Sequence, residues 1–404
     1  MNISRSRLPA GESQRIISMK KLLVMLVLAL SVLAMFAVAY ADDSERDPLG
    51  PYKLLTTITI PEGLVGNDIS WVDSTAHRYY LANRGDATVT PPVGPTVDVI
   101  DTKHNKFLYS IPVSAAGNGV IAIGKSEDDD EEEGRGGELW VGAADSTVKV
   151  IDLEHPFAVQ LSIPTGTPAD LRADELGYDP RDHVVLIAND RAPKPFVTFI
   201  STKTHSVLGK IVYDGTLSNP KTTGGLEQPV WDDRTRKFYI TVPSTAAHAD
   251  GEVDEIDPKT MTITRIFPTS HFTPTCGPAG LALLPGQRLM TSCGDVINIK
   301  TGMVVHTTAG VGGDEIWYNP GDKRVYFGGG TNRISVSVVR GLSPYRLINT
   351  LTVGVLSPTN PVPPSHTTHS VAADSSLNRI FVPVTHEGVK VYTDAGQNNE
   401  DHDD

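Results

Sequence analysis

From residue 52 onward the chain alternates short apolar runs with turn formers, and no stretch keeps a helical period. Val, Ile, Tyr, Phe and Thr fill the runs, while Gly, Pro, Asn and Asp fill the gaps, which is strand-and-turn chemistry. A four-part unit emerges: an apolar strand, a D-P-x or D-x-x-x turn, a second strand ending in small residues, then a strand such as V-x-V-I-D. It recurs over residues 67–113, 118–164, 174–213, 227–267, 278–308, 314–353 and 369–392. The last unit stops one strand short, and YKLLTTITI at residues 52–60 is a spare strand at the other end. Pairing the two closes a ring and removes the exposed edges of an open sheet. The expected fold is all-β, a single β-propeller of seven four-stranded blades over residues 52–393, closed by the N-terminal strand. An eighth blade would require splitting residues 314–364.

Upstream of this frame the pattern changes. Met19-Lys20-Lys21 is a basic start, residues 22–38 are an apolar run interrupted only by Ser31, and Ala39-Tyr40-Ala41 is a small-x-small cleavage pattern followed by acids. Residues 1–41 therefore read as an extension plus a signal peptide, with Met19 the natural initiator. A seventeen-residue stretch of this kind also reaches the low end for a membrane anchor. Cleavage at Ala41 is the expectation because acids follow at once, leaving no stable membrane insertion and a periplasmic or secreted protein. Residues 42–51 read as a linker. The run EDDDEEE at 127–133 reads as a solvated hairpin insertion. Residues 394–404 read as a disordered acidic tail.

Composition narrows the partners. The formal net charge is −13, and residues 1–41 contribute +4 of it, so the mature chain carries −17. Such a field repels phosphate backbones and anionic lipid, which excludes nucleic acid and favours cations, small molecules or proteins. Cys276 and Cys293 are the only cysteines. In an oxidising compartment an isolated pair is expected to bridge, and the intervening segment reads as two strands about a turn at Pro285-Gly286.

Val97-Asp98-Val99-Ile100-Asp101-Thr102, Val148-Lys149-Val150-Ile151-Asp152 and Val253-Asp254-Glu255-Ile256-Asp257-Pro258 carry a family likeness. The repeat resembles that of YVTN/NHL-type propellers of exported bacterial proteins, over essentially all of residues 52–393. The third and fifth units depart from it with FVTFIST and DVINIKT. The resemblance implies an architecture rather than an activity. Related propellers include surface and scaffold proteins, metal-dependent gluconolactonase-type (SMP-30-like) lactonases and a streptogramin-opening lyase.

In a propeller the innermost strand of each blade lines a central channel, and its first residues ring the mouth. Those positions hold Asn67-Asp68, Asn118, Asp174-Glu175, Glu227-Gln228, Pro278, Asp314-Glu315 and His366/His369. Carboxyls placed directly before apolar strands must be solvated, paired or metal-bound. The candidate metal or ligand residues are Asp68, Asn118, Glu175, Glu227, Asp314, Glu315 and His369. An oxygen-rich set suits Ca²⁺ or Mg²⁺, and a histidine accommodates Zn²⁺ or Mn²⁺. The same acids also suit a hydrated funnel bonded to strand-end amides. His248, near Asp250, is a further candidate for the same mouth. Asn83-Arg84 and Asn189-Asp190-Arg191 read as corner hydrogen-bonding residues. Trp71, Trp231 and Trp317 read as equivalent first-strand positions packed between blades. No G-x-S-x-G, H-E-x-x-H, C-x-x-C-H or phosphate loop is present. Two functions fit: a propeller binding a small ligand, cation or protein at an acidic mouth, or a divalent-metal-dependent hydrolase, lactonase or lyase using those carboxylates.

Overall fold

The computed structural model describes residues 52–124, 137–216, 221–222, 224–270, 276–358 and 364–394. Residues 1–51, with the expected signal peptide and linker, the acidic run at 127–133 and residues 395–404 lie outside them. The described residues contain twenty-eight strands, β1–β28 in chain order, in seven four-stranded antiparallel sheets. The innermost strands are β2 (Asn67–Asp73), β6 (Gly117–Ile123), β10 (Leu176–Asp179), β14 (Pro229–Asp232), β18 (Leu281–Leu284), β22 (Ile316–Asn319) and β26 (Ala372–Asp374). Each contacts the inner strand on either side, and β26 returns to β2, so the ring is closed. This is the seven-bladed β-propeller that the repeat predicts.

The core lies between blades, not within one. Seven hydrophobic clusters of buried residues occupy the seven interfaces, one each. Leu186, Phe199 and Tyr213 of the third blade, for example, meet Phe238, Ile240 and Ile256 of the fourth. A middle strand is covered on both faces, so β11 (Val184–Asn189, VVLIAN) is buried at every residue. An outer strand has one face in solvent, and β13 (Ser206–Val212) is mostly exposed. The continuous apolar runs and the weaker alternating ones follow from these two environments.

Aspartates close the turns after the first and third strands. Asp73 Oδ1 accepts from the amides of Thr75 and Ala76, and Asp179 Oδ1 from those of Arg181 and Asp182. Asp101 and Asp257 do the same after their strands. The carboxylate mimics a backbone turn, which is the reason for the recurrent Asp.

The seventh blade is assembled from both ends of the chain. β1 (Tyr52–Ile58) pairs antiparallel with β28 (Gly388–Asp394), which pairs with β27 (Arg379–Val384) and then β26. Arg324 of the sixth blade clamps the seam, with Nη1 2.7 Å from Asp394 Oδ2 and 2.5 Å from Tyr52 Oη. Asp394 therefore belongs to the last strand rather than to the tail: its carboxylate is the partner this buried guanidinium needs. Cys276 and Cys293 form the expected disulfide across the first hairpin of the fifth blade. Such bridges persist in oxidising compartments.

Removing residues 52–60 strips the buried Ile58 and Ile60 from the first–seventh interface. Each is worth ~1.5–3 kcal/mol, and each kcal/mol moves the melting point of a large domain by about 2–4 °C. The truncated chain is expected to melt lower by on the order of 10 °C. Melting within 2 °C of the full chain, roughly the effect of less than 1 kcal/mol, would refute closure by this strand.

Candidate functional site

Ring geometry delivers the starts of the inner strands to one end of the axis. Asp68, Asp314 and His369 present ligand atoms within 4.8 Å of one another, although they are distant in sequence. His369 Nδ1 lies 2.8 Å from Asp314 Oδ2 and 3.8 Å from Asp68 Oδ1. Its other nitrogen, Nε2, is in hydrogen-bond contact with Arg333 Nη1. A guanidinium can only donate, so Nε2 accepts and Nδ1–H donates to Asp314.

Three arginines are woven through these acids. Arg84 donates to Asp68 at 2.9 Å. Arg172 is bidentate to Asp190 (Nε–Oδ1 3.0 Å, Nη2–Oδ2 2.8 Å), reaches Asp174 at 2.6 Å, and approaches Asp68 at 3.5 Å. Arg333 extends from a single helical turn, α1 (Gly330–Arg333), to His369 and Asp314. Burial drives the Asp174 carboxyl well up, and Arg172 only partly offsets it. Asp68 is raised for the same reason against Arg84, His369 and Arg172. Asp314 is also penalised by burial, but the hydrogen bond from His369 and the Arg333 and Arg172 charges bring it below the usual range.

Local backbone fit holds this loop in place. Gly119 and Gly142 of the second blade lie directly against the Asp174 carbonyl, where any Cβ would collide. Gly328 leaves similar room for the backbone at Ser370, next to His369.

Of the seven predicted residues, Asp68, Asp314 and His369 meet directly. Glu227 is half-buried at the same end; burial and then the Asp190 and Asp314 charges raise its carboxyl to about 8. Glu315 and Asn118 serve the scaffold. Glu315 Oε2 accepts from Ser370 Oγ and lies 3.5 Å from the Ser70 amide, tying three blades, while Asn118 Nδ2 donates to the Ala173 carbonyl at 2.9 Å. Glu175 is different: it is 5% exposed, and its carboxyl makes no hydrogen bond or ion pair among the described residues. Burial, and then the Asp174, Glu227, Glu315 and Asp314 charges, push it well above the usual carboxyl range.

Below the mouth lies an axial cavity of about 440 Å³, lined by the inner strands of six blades. Its wall is apolar apart from Glu175, Gln228, Glu315 and the aromatic polar tips. Trp71 and Trp317 meet edge-to-face there, with centroids 5.1 Å apart. Trp231 also lines it, and its buried Nε1 has no acceptor. The three tryptophans are not equivalent. Trp71 and Trp317 stand two residues before the turn position, opposite Tyr80 and Tyr326, whereas Trp231 stands one before it, opposite Phe238. They do pack against inter-blade clusters as expected, but each also faces the cavity.

The arginines change the electrostatics that the sequence suggests. A divalent ion between Asp68, Asp314 and His369 would face three guanidiniums already bonded to those groups, so the donor set does not fit a hard cation. Asp190 and Arg84, read as corner residues, are charge partners of the mouth, whereas Asn83 does hold a corner through the Gly63 carbonyl and Asp98. Arg172 and Arg333 were not singled out in the sequence. The available signal for Arg172 was its place in LRADE, a cation beside the acids that open a strand. His248 bonds Glu252, and His366 bonds Glu387.

Replacing Arg172 by Met leaves Asp174 and Asp190 desolvated without their cation. A loss of about 3–5 kcal/mol in chemical denaturation is expected, with partial recovery on adding Asp190→Asn. The Glu227 shift sets a pH dependence. The folded chain keeps this proton to about pH 8, whereas an unfolded chain releases it near 4.5. The folded state then holds the extra proton across that window, and stability falls as pH rises through it. Glu227→Gln is expected to reduce the drop in melting point between pH 5 and pH 8, and an unchanged drop would contradict the shift.

No protein-family model matches the chain, and a search of curated proteins finds no significant match.

Proposed function

We propose that this chain is a ligand-binding propeller of an oxidising compartment, which takes a small organic molecule into the axial cavity beneath its charged mouth. The observation that carries the reading is the cavity itself. At about 440 Å³ it falls in the size range of small-molecule sites, and it combines apolar and aromatic walls with very few polar groups. The Glu175 carboxyl faces this space with no protein partner among the described residues, and a ligand that bonds it satisfies it.

Export is supported by the basic start, apolar run and A-Y-A pattern of residues 19–41 together with the disulfide. No helix among the described residues is long and apolar enough to cross a membrane. The V-x-V-I-D repeats support placing the chain with YVTN/NHL-type propellers. The metal-dependent hydrolase alternative is disfavoured by the arginines that occupy the Asp68–Asp314–His369 group.

Three of the four tryptophans line the cavity, so occupancy has a direct optical readout. Titration with 2-phenylethanol is expected to give a saturable change in tryptophan emission. Ala122→Phe, which fills the cavity from the second blade, is expected to weaken it at least tenfold, about 1.4 kcal/mol. Absence of saturable binding to the wild-type chain would overturn the reading.

A further inference from the structure

We infer that the axial cavity selects a protonated amine with an apolar or aromatic body, anchored by its ammonium on Glu175 and held by the Trp71–Trp317 pair. This deepens the proposed binding function and rests on it.

Among the described residues, Glu175 is the only carboxyl of the cavity wall whose side chain makes no hydrogen bond or ion pair. Glu315, the other one, accepts from Ser370 and faces the Ser70 amide. Gln228 is also satisfied: its Oε1 takes the amides of Leu281 at 2.7 Å and Ile316 at 3.4 Å. Among the acids and amides of the wall, the free hydrogen-bonding capacity is therefore concentrated at Glu175.

The surrounding charge selects the sign. Asp174, Glu227, Glu315 and Asp314 all act against ionisation of Glu175. The arginines at the mouth are committed elsewhere: Arg172 to Asp190, Asp174 and Asp68, Arg84 to Asp68, and Arg333 to His369 and Asp314. An incoming carboxylate or phosphate would add to the carboxyl cluster, and these three arginines are already paired. An ammonium supplies donors for Glu175 and relieves the mutual repulsion of its neighbours.

The walls select the body. Trp71, Trp317, Tyr178, Tyr318 and Trp231 bring aromatic surface around the space, which favours a cation on electrostatic grounds and an apolar skeleton by desolvation. A strongly hydrated inorganic ion gains nothing from such walls. An organic amine fits both.

The test uses three probes of similar size and different charge: 2-phenylethylamine, 2-phenylethanol and phenylacetate, titrated at pH 7.5 by calorimetry and tryptophan emission. The amine is expected to bind at least tenfold more tightly than the alcohol, and phenylacetate more weakly than either. Glu175→Gln is expected to reduce the amine-to-alcohol ratio to within about twofold, chiefly through loss of amine affinity. Equal binding of amine and alcohol to the wild-type chain overturns the amine inference and leaves the cavity reading standing. A ratio that survives in Glu175→Gln also overturns it. Binding of none of the three overturns both. The wild-type comparison needs no substitution, so the result does not depend on how the variant folds.

Discussion

Every blade of this protein is a sheet whose two faces must both be covered by other sheets, and the rest of the structure depends on that requirement. An isolated four-stranded sheet built like β10–β13 would expose the apolar faces of its middle strands to water. Stacking the blades buries them, but a linear stack always leaves two end faces open. Only closure covers them all, and the seven interfacial clusters show one filled junction for each pair of neighbours. β1 on β28 is therefore a structural necessity, and the Arg324 clamp on Tyr52 and Asp394 fastens the first and last strands of the propeller to the neighbouring blade.

Closure has an electrostatic consequence. It gathers the first residues of the inner strands around one axis, so acids that are far apart in sequence become neighbours in a partly desolvated space. Left alone, Asp68, Asp174, Asp190 and Asp314 would repel one another strongly. Arg84, Arg172 and Arg333 neutralise them through interleaved bonds, and Arg172 alone contacts three carboxylates. The mouth is thus a nearly balanced ion-pair network rather than an open ring of acids, and its geometry is held by close backbone approach at Gly119 and Gly142.

Below the network the balance is lost. Glu175 stays buried with no counter-charge and no hydrogen bond among the described residues, beside aromatic walls. Groups of that kind are costly to a fold unless something else uses them. The contrast with Glu315, a carboxyl of similar burial tied into three blades by Ser70 and Ser370, separates a scaffold acid from a recognition acid.

The sequence by itself determined the architecture. The period of the repeats, the Asp-centred turns and the missing last strand together specified seven blades, their closure by residues 52–60, and the Cys276–Cys293 bridge. These are legible because strands, turns and hairpins are local, and because a deficit at one end of a repeat array must be met by a surplus at the other. The positions of the mouth residues were also legible, since each sits at a fixed place in its unit. Their partners were not. Arg172 lies in the connection between two units and Arg333 in a helical turn inserted between two strands of the sixth, and only the tertiary structure decided that they face Asp174, Asp190, Asp314 and His369. The one-residue offset of Trp231 from Trp71 and Trp317 became visible only through strand register. The separation of Glu175 from Glu315 required the ring as well, because identical residue types at matching strand starts differ only in what the neighbouring blades bring to them.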